Sequence, residues 1–225
     1  MILLYNPECL KSVREDGSVA MRAPLPLVQW DAMACETACT AQILYMLGKI
    51  ERNQVLSLDR RIGRRAYQPD MQYGNMRLLL EHGLHLKAKS PIRPEEIVGP
   101  DGLKKVEAFW RQMGRTEVEI EFDLPYFFSD LVEAARIQIQ IRRQFKGQID
   151  IQEGYATQVD FKRMLLDGCF VFCSELAVGG TVHTLLAIPE DSRHCTLYDP
   201  SNGSLVCKPI ERIKVASYGS GYYQV

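Results

Sequence analysis

Hydrophobic positions along the chain switch from helical to strand period about two thirds of the way through. Apolar residues first settle into helical spacing at Cys35, where Ala38, Ala41 and Tyr45, with Ile43, Met46 and Leu47, occupy most of a helix circumference. The pattern predicts a buried central helix that starts near Cys35 and is stopped by Gly48. Gly74–Gly83 reads as a second helix and Leu84–Ala88 as a strand. Leu103–Met113 and Phe127–Phe145 have helical period, and the alternating Thr116–Phe122 between them reads as a strand or a helix edge. Thr157 and Asp160 form a capping box ahead of a helix over Phe161–Asp167, ended by Gly168. Short apolar runs then follow at Cys169–Leu176, Val182–Ile188 and His194–Tyr198. Turn chemistry at Val178–Gly180 and Pro189–Asp191 makes them an antiparallel meander, with further strands expected near Ser204–Lys208 and Gly221–Gln224.

The remaining segments are less regular. Residues 1–28 read as short extended pieces with a turn at Glu15–Gly17, stiffened by Pro24 and Pro26, and Arg60–Arg65 begins a loop. Together the elements imply one α+β domain spanning residues 1–225. Residues 1–88 form a helical half, 89–155 a helical insertion or lid, and 156–225 an antiparallel sheet half. In the insertion, Arg136, Arg142 and Arg143 with Gln138, Gln140 and Gln144 give a polar face, read first as solvated surface and second as substrate recognition.

Charge narrows the partners. With 27 basic against 28 acidic residues the chain has no electrostatic footprint for nucleic acid or a membrane surface, which leaves a peptide or protein substrate or a small molecule. No apolar run approaches the ~18 residues of a membrane span, so no membrane insertion is expected. Met1–Tyr5 is too short for a signal peptide, which points to the cytoplasm unless a dedicated secretion machine exports the chain. The seven cysteines fall mostly in apolar runs and read as reduced, small hydrophobes. Zinc is disfavoured, because Cys169 and Cys173 on a strand stand about 13 Å apart. No phosphate-binding glycine loop is present, so no cofactor is expected.

Four residues stand out against this background: Gln29, Cys35, His183 and Asp199. A thiol becomes a strong nucleophile near neutral pH when its pKa falls, and a helix N-terminus and an imidazole are common means. Cys35 opens a helix, and His183 lies on a strand from which it can take the thiol proton. Asp199, at the end of the next strand, can fix the imidazole tautomer, and Gln29 can donate to an oxyanion beside the Cys35 amide. Each has a plainer reading. Cys35 can be a buried helix cysteine, His183 a core histidine, Asp199–Gly203 an ordinary turn and Gln29 a residue of a helix entry. Cys39 reads as core, and His82, His85 and His194 as surface or supporting groups. Gly179 and Gly180 mark a tight turn ahead of His183.

The order Gln29, Cys35 with Ala38 and Cys39 on a hydrophobic helix, His183 on a core strand and Asp199–Pro200 resembles the papain-like cysteine peptidases. It is most similar to their bacterial branch typified by the double-glycine leader (bacteriocin-processing) peptidase domain. That resemblance covers the helix from Cys35, Gly74–Leu86 and Thr157–Gly203, and says little about residues 89–155. It implies a papain-like fold, its catalytic helix packed on a C-terminal antiparallel sheet, and a thiol hydrolase cleaving a peptide or isopeptide bond through an acyl-thioester. Ala34-Cys35-Glu36 departs from the family's Asp-Cys-Gly and sets a carboxyl beside the nucleophile. The same residues would serve an acyl- or peptidyltransferase or a glutamine deamidase. Glu36 keeps a fourth reading open, a catalytically inactive peptide-binding module.

Overall fold

The computed structural model describes residues 2–5, 21–29, 34–63, 71–112, 114–154, 157–176, 182–218 and 222–224. In chain order the elements are β1 (Ile2–Tyr5), α1 (Cys35–Met46), α2 (Arg52–Gly63), α3 (Met71–Glu81), β2 (His85–Ser90), α4 (Pro94–Ile97) and α5 (Gly102–Gln112). There follow a π-helical turn (Glu119–Asp123), α6 (Leu124–Gln144), β3 (Ile149–Glu153), α7 (Gln158–Leu166), β4 (Phe170–Leu176), β5 (Val182–Pro189), β6 (His194–Asp199), β7 (Ser204–Pro209), β8 (Lys214–Tyr218) and β9 (Tyr222–Gln224).

The α+β class stands, with a different division of the chain. A single seven-stranded sheet in the order β3-β2-β1-β4-β5-β6-β7 draws strands from both halves. The meander β4 to β7 is antiparallel throughout. β1 joins it to β2, pairing antiparallel with each. β2 and β3 are parallel, so residues between them form a crossover. Periodicity could not reveal β1 or β3, because strands of four and five residues carry too few alternations. The C-terminal strand also departs from expectation: β9 pairs with β8 in a separate two-stranded sheet.

Period-two burial explains why the central strands read as continuous apolar runs. Phe170, Phe172, Leu186, Ile188 and Tyr198 face one side, where they pack with Ala38, Ile43 and Leu44 of α1, Leu79 and Leu80 of α3 and Ile141 of α6. Val171, Cys173, Leu185, Ala187, Cys195 and Leu197 face the other, under Phe161, Met164 and Leu165 of α7. Strands covered on both faces lose the polar alternation of a half-exposed sheet. α1 is buried nearly all round, as its composition predicts, and stops at Gly48, which takes φ +67°.

Two segments correct the sequence reading. Arg60–Gly63 belongs to α2, while 64 and 65 lie outside the described residues. Glu117–Phe122 is helical, not a strand, and the chain stays helical from Glu117 to Gln144. Its π-helical turn sits just before Pro125, whose ring nitrogen cannot donate to the preceding turn. The capping box is present: Asp160 N–H donates to Thr157 Oγ1 (3.2 Å) and Thr157 N–H to Asp160 Oδ2 (2.9 Å). Lys89 Nζ on β2 adds a 2.7 Å ion pair to the same carboxylate. The Glu15–Gly17 turn, Trp30, Asp31 and the Gly179–Gly180 turn lie outside the described residues. Among the described residues no helix is long and apolar enough to cross a membrane.

Candidate active site

Hydrophobic strands β5 and β6 carry a polar pair at one end of the sheet. His183 is the second residue of β5 and Asp199 the last of β6. His183 Nε2 donates to Asp199 Oδ1 at 2.7 Å, with the side chains 19% and 27% exposed. Bonding through Nε2 leaves Nδ1 as the nitrogen available to accept a proton. Burial alone would lift the Asp199 carboxyl, but hydrogen bonds from His183 and Ser201 outweigh it and hold the group below the usual aspartate range.

The turn after β6 is what fixes that carboxylate. Ser201 donates to Asp199 Oδ1 from its backbone N–H (2.8 Å) and its hydroxyl (2.7 Å), and Asn202 Nδ2 reaches Oδ2 at 3.2 Å. Asn202 Oδ1 in turn accepts from Ser204 N–H at 2.7 Å. Asp199 therefore organises its own turn and also orients His183. The turn chemistry was legible in Asp199-Pro-Ser-Asn-Gly203, but the use of Ser201 and Asn202 as supports for Asp199 was not anticipated.

Gln29 reaches the same turn through the backbone: its N–H donates to Pro200 C=O at 2.7 Å. Tyr198, fully buried, donates its hydroxyl to Leu27 C=O at 2.6 Å and ties down the extended arm two residues earlier. Gln29 Oε1 is buried without a hydrogen-bond partner among the described residues. Gly203 closes the contact, since its φ is +73° and an added Cβ would stand 3.0 Å from Val28 Cγ2 and 3.1 Å from Pro26 O. Gly203→Ala should therefore lower stability by about 1–2 kcal/mol in urea melts, from left-handed strain plus pressure on the arm. A loss below a few tenths would show that the arm yields freely.

Cys35 begins α1, half-buried, and Ala34 before it supplies no side-chain cap. The unpaired N–H groups of the first turn set Cys35 at the positive end of the helix dipole. One turn on, Cys39 packs in the core with Sγ 3.8 Å from Thr184 C=O. That contact seats the first turns of α1 against β5 beside the residue after His183. Desolvation, reinforced by Cys35, Glu36, Cys173 and Asp199, keeps the Cys39 thiol well above its ordinary pKa. Burial likewise pushes Cys169 and Cys195 up to about 12 and Cys173 higher. Glu36 is pushed up to about 7 by desolvation, so on the acid side of neutrality it places little negative charge beside Cys35.

Three of the four candidates thus converge: His183 and Asp199 directly, and Gln29 through the Asp199–Pro200 turn. Cys35 heads the helix packed on the His183 strand, but its Sγ makes no hydrogen bond to the His183 ring. By alternation His183 shares the parity of Leu185 and Ala187, which pack under α7. No family model, curated protein or solved structure matches this chain.

Two of the other three histidines, His82 and His194, have local partners. His82 Nδ1 donates to Leu78 C=O (2.8 Å), and His194 Nδ1 lies 3.1 Å from Asp191 Oδ2. The six described cysteines are free thiols. Among the described residues no cluster of His, Cys, Asp and Glu is placed to hold a metal ion.

Proposed function

We propose that this protein is a thiol-based hydrolase of the papain-like type, acting on a peptide or isopeptide bond with Cys35 as nucleophile. The observation that carries the reading is the 2.7 Å His183–Asp199 pair at the end of the sheet on which the Cys35 helix packs. His183 Nδ1 takes the Sγ proton, and the thiolate attacks the carbonyl carbon. The oxyanion is received by the Cys35 N–H and the Gln29 side-chain amide. The imidazolium then protonates the departing amine as the C–N bond breaks, leaving a thioester that water hydrolyses to regenerate the thiol. Asp199 keeps the proton on Nε2 and steadies the imidazolium. A different acceptor would give acyl or peptidyl transfer, and a glutamine side chain would give deamidation, from the same groups.

A peptide-binding module without catalysis is the second reading, favoured by the missing Cys35–His183 hydrogen bond. Labelling with iodoacetamide at pH 6.5 separates the two. A hydrolase gives modification at Cys35 well ahead of exposed Cys207, whereas a binding module labels Cys207 first. Mass spectrometry of the digested protein reads the order, and faster labelling at Cys207 would remove the catalytic reading.

A further inference from the structure

The rod that runs from Glu117 through α6 carries its charges sorted by sign. Every charged residue from Glu117 to Glu133 is acidic (Glu117, Glu119, Glu121, Asp123, Asp130, Glu133), and every one from Arg136 to Lys146 is basic (Arg136, Arg142, Arg143, Lys146). Dipole complementarity accounts for charges only in the first and last turns, so it does not explain Asp130, Glu133 and Arg136 in the middle. Neighbours neutralise some of the set: Glu117 pairs with Arg111, Glu119 with Arg115 and Arg142 with Glu95. Among the described residues, Asp130, Glu133, Arg136 and Arg143 form no ion pair and are exposed.

The outer face of this rod is a single stripe. Phe122, Tyr126, Ser129, Glu133, Arg136, Gln140 and Arg143 recur at spacings of three and four and are all exposed, while Ala135 and Ile141 are buried on the inner side. In the acidic half the stripe is aromatic, with Phe122 69% and Tyr126 76% exposed. Two large rings left in water beside unpaired carboxylates are a poor end state for a surface helix.

We propose that this stripe pairs with the same stripe of a second copy, antiparallel, about a two-fold axis near Ser129 and Glu133. That arrangement sets each acidic, aromatic half against the other's basic half. Tyr126 lies opposite Arg136, Phe122 opposite Gln140 and Ser129 opposite Glu133, with Asp130, one turn from Tyr126, beside the facing Arg136. Guanidinium over aromatic ring, carboxylate beside guanidinium and antiparallel helix dipoles all act in the same direction, and a parallel pairing would oppose them. The 21 residues of α6 span about 30 Å. A face of that length buries on the order of 1,000 Å² in total, the lower end for a specific interface, so the dimer is reversible with a dissociation constant of about micromolar order. The pairing is independent of the chemistry at Cys35.

Sedimentation velocity of the full chain tests it. The expected result is a concentration-dependent monomer–dimer equilibrium that weakens with added salt. Arg136→Glu should raise the dissociation constant at least about tenfold, and adding Asp130→Arg in the same chain should restore it, because both sides of that pair are then reversed. Circular dichroism on each variant confirms that the helices are retained. A wild-type chain that stays monomeric up to about 200 µM, far above the expected dissociation constant, overturns the proposal. So does a dimer indifferent to the charge reversals, or a monomer that instead captures a basic amphipathic helical peptide on this face.

Discussion

Replacing His183 with alanine should cut the alkylation rate of Cys35 by roughly 10²–10⁴-fold near neutral pH, the usual contribution of a positioned general base. The pH dependence gives the sign. If the two act as a pair, the wild type should out-react the variant by most on the acid side of neutrality. In the variant, reactivity should appear only as pH rises toward the free-thiol value of about 8.5. Asp199→Asn should fall between the two, since the His183 ring keeps a partner and loses the charge that stabilises its protonated form. In the wild type Asp199 is depressed below 3.8, so its support is complete above that pH and is lost only as pH falls through its folded value. Labelling across pH, followed by peptide mass spectrometry, measures all three. Superimposable profiles for wild type and His183→Ala would end the case for a catalytic thiol, and unchanged melting curves would show that the fold was not the cause.

The second large effect should appear at Asp160, far from the site. Its carboxylate, 9% exposed, receives Lys89, the Thr157 hydroxyl and backbone, and Arg163 Nη2 at 3.4 Å. Asp160→Ala removes the carboxylate half of the α7 capping box, leaving the Thr157 N–H without its acceptor, and leaves Lys89, 24% exposed, facing a partly buried gap. A loss of about 2–4 kcal/mol is expected in urea melts. Asp160→Asn can still accept from the Thr157 N–H, and should lose about half of that. Burial raises the Asp160 carboxyl, but Lys89 and Thr157 outweigh it and hold it below 3.8. Its stabilisation is therefore present above the unfolded pKa and disappears as pH falls through the folded one, so wild type and variant should converge in strong acid. A gap that persists undiminished at low pH would mean that packing, not charge, is what the variant lost.

Local chemistry explains which elements were legible. α1 was readable because its apolar residues wrap the helix and Gly48 stops it, and α7 because Thr157 and Asp160 cap it three residues apart. The meander was readable because each run is bounded by turn residues. Thr116–Phe122 stayed open between strand and helix edge because Glu-x-Glu-x-Glu alternates in a helix that leaves Val118 and Phe122 in water, where period two carries no packing information. β1 and β3 were hidden because a short strand is stabilised by its neighbours more than by its own residues. The Asp199 turn shows the limit in another way: its turn reading and its catalytic reading coexist, since one carboxylate serves both the Ser201 amide and the His183 ring.

By itself the sequence determined the residue types and the local frames: a thiol at the head of a buried helix, an imidazole near the start of one strand, and a carboxylate at the end of the next. Those follow from short-range periodicity and turn chemistry. Only the tertiary structure decided that Nε2 and not Nδ1 of His183 meets Asp199, that the Gln29 arm is tied to Pro200 and Tyr198, that burial lifts Glu36 to about 7, and that one face of α6 is left in water. Ring orientation, desolvation and leftover surface depend on contacts between residues up to 171 positions apart, and no local pattern in a chain encodes such distances.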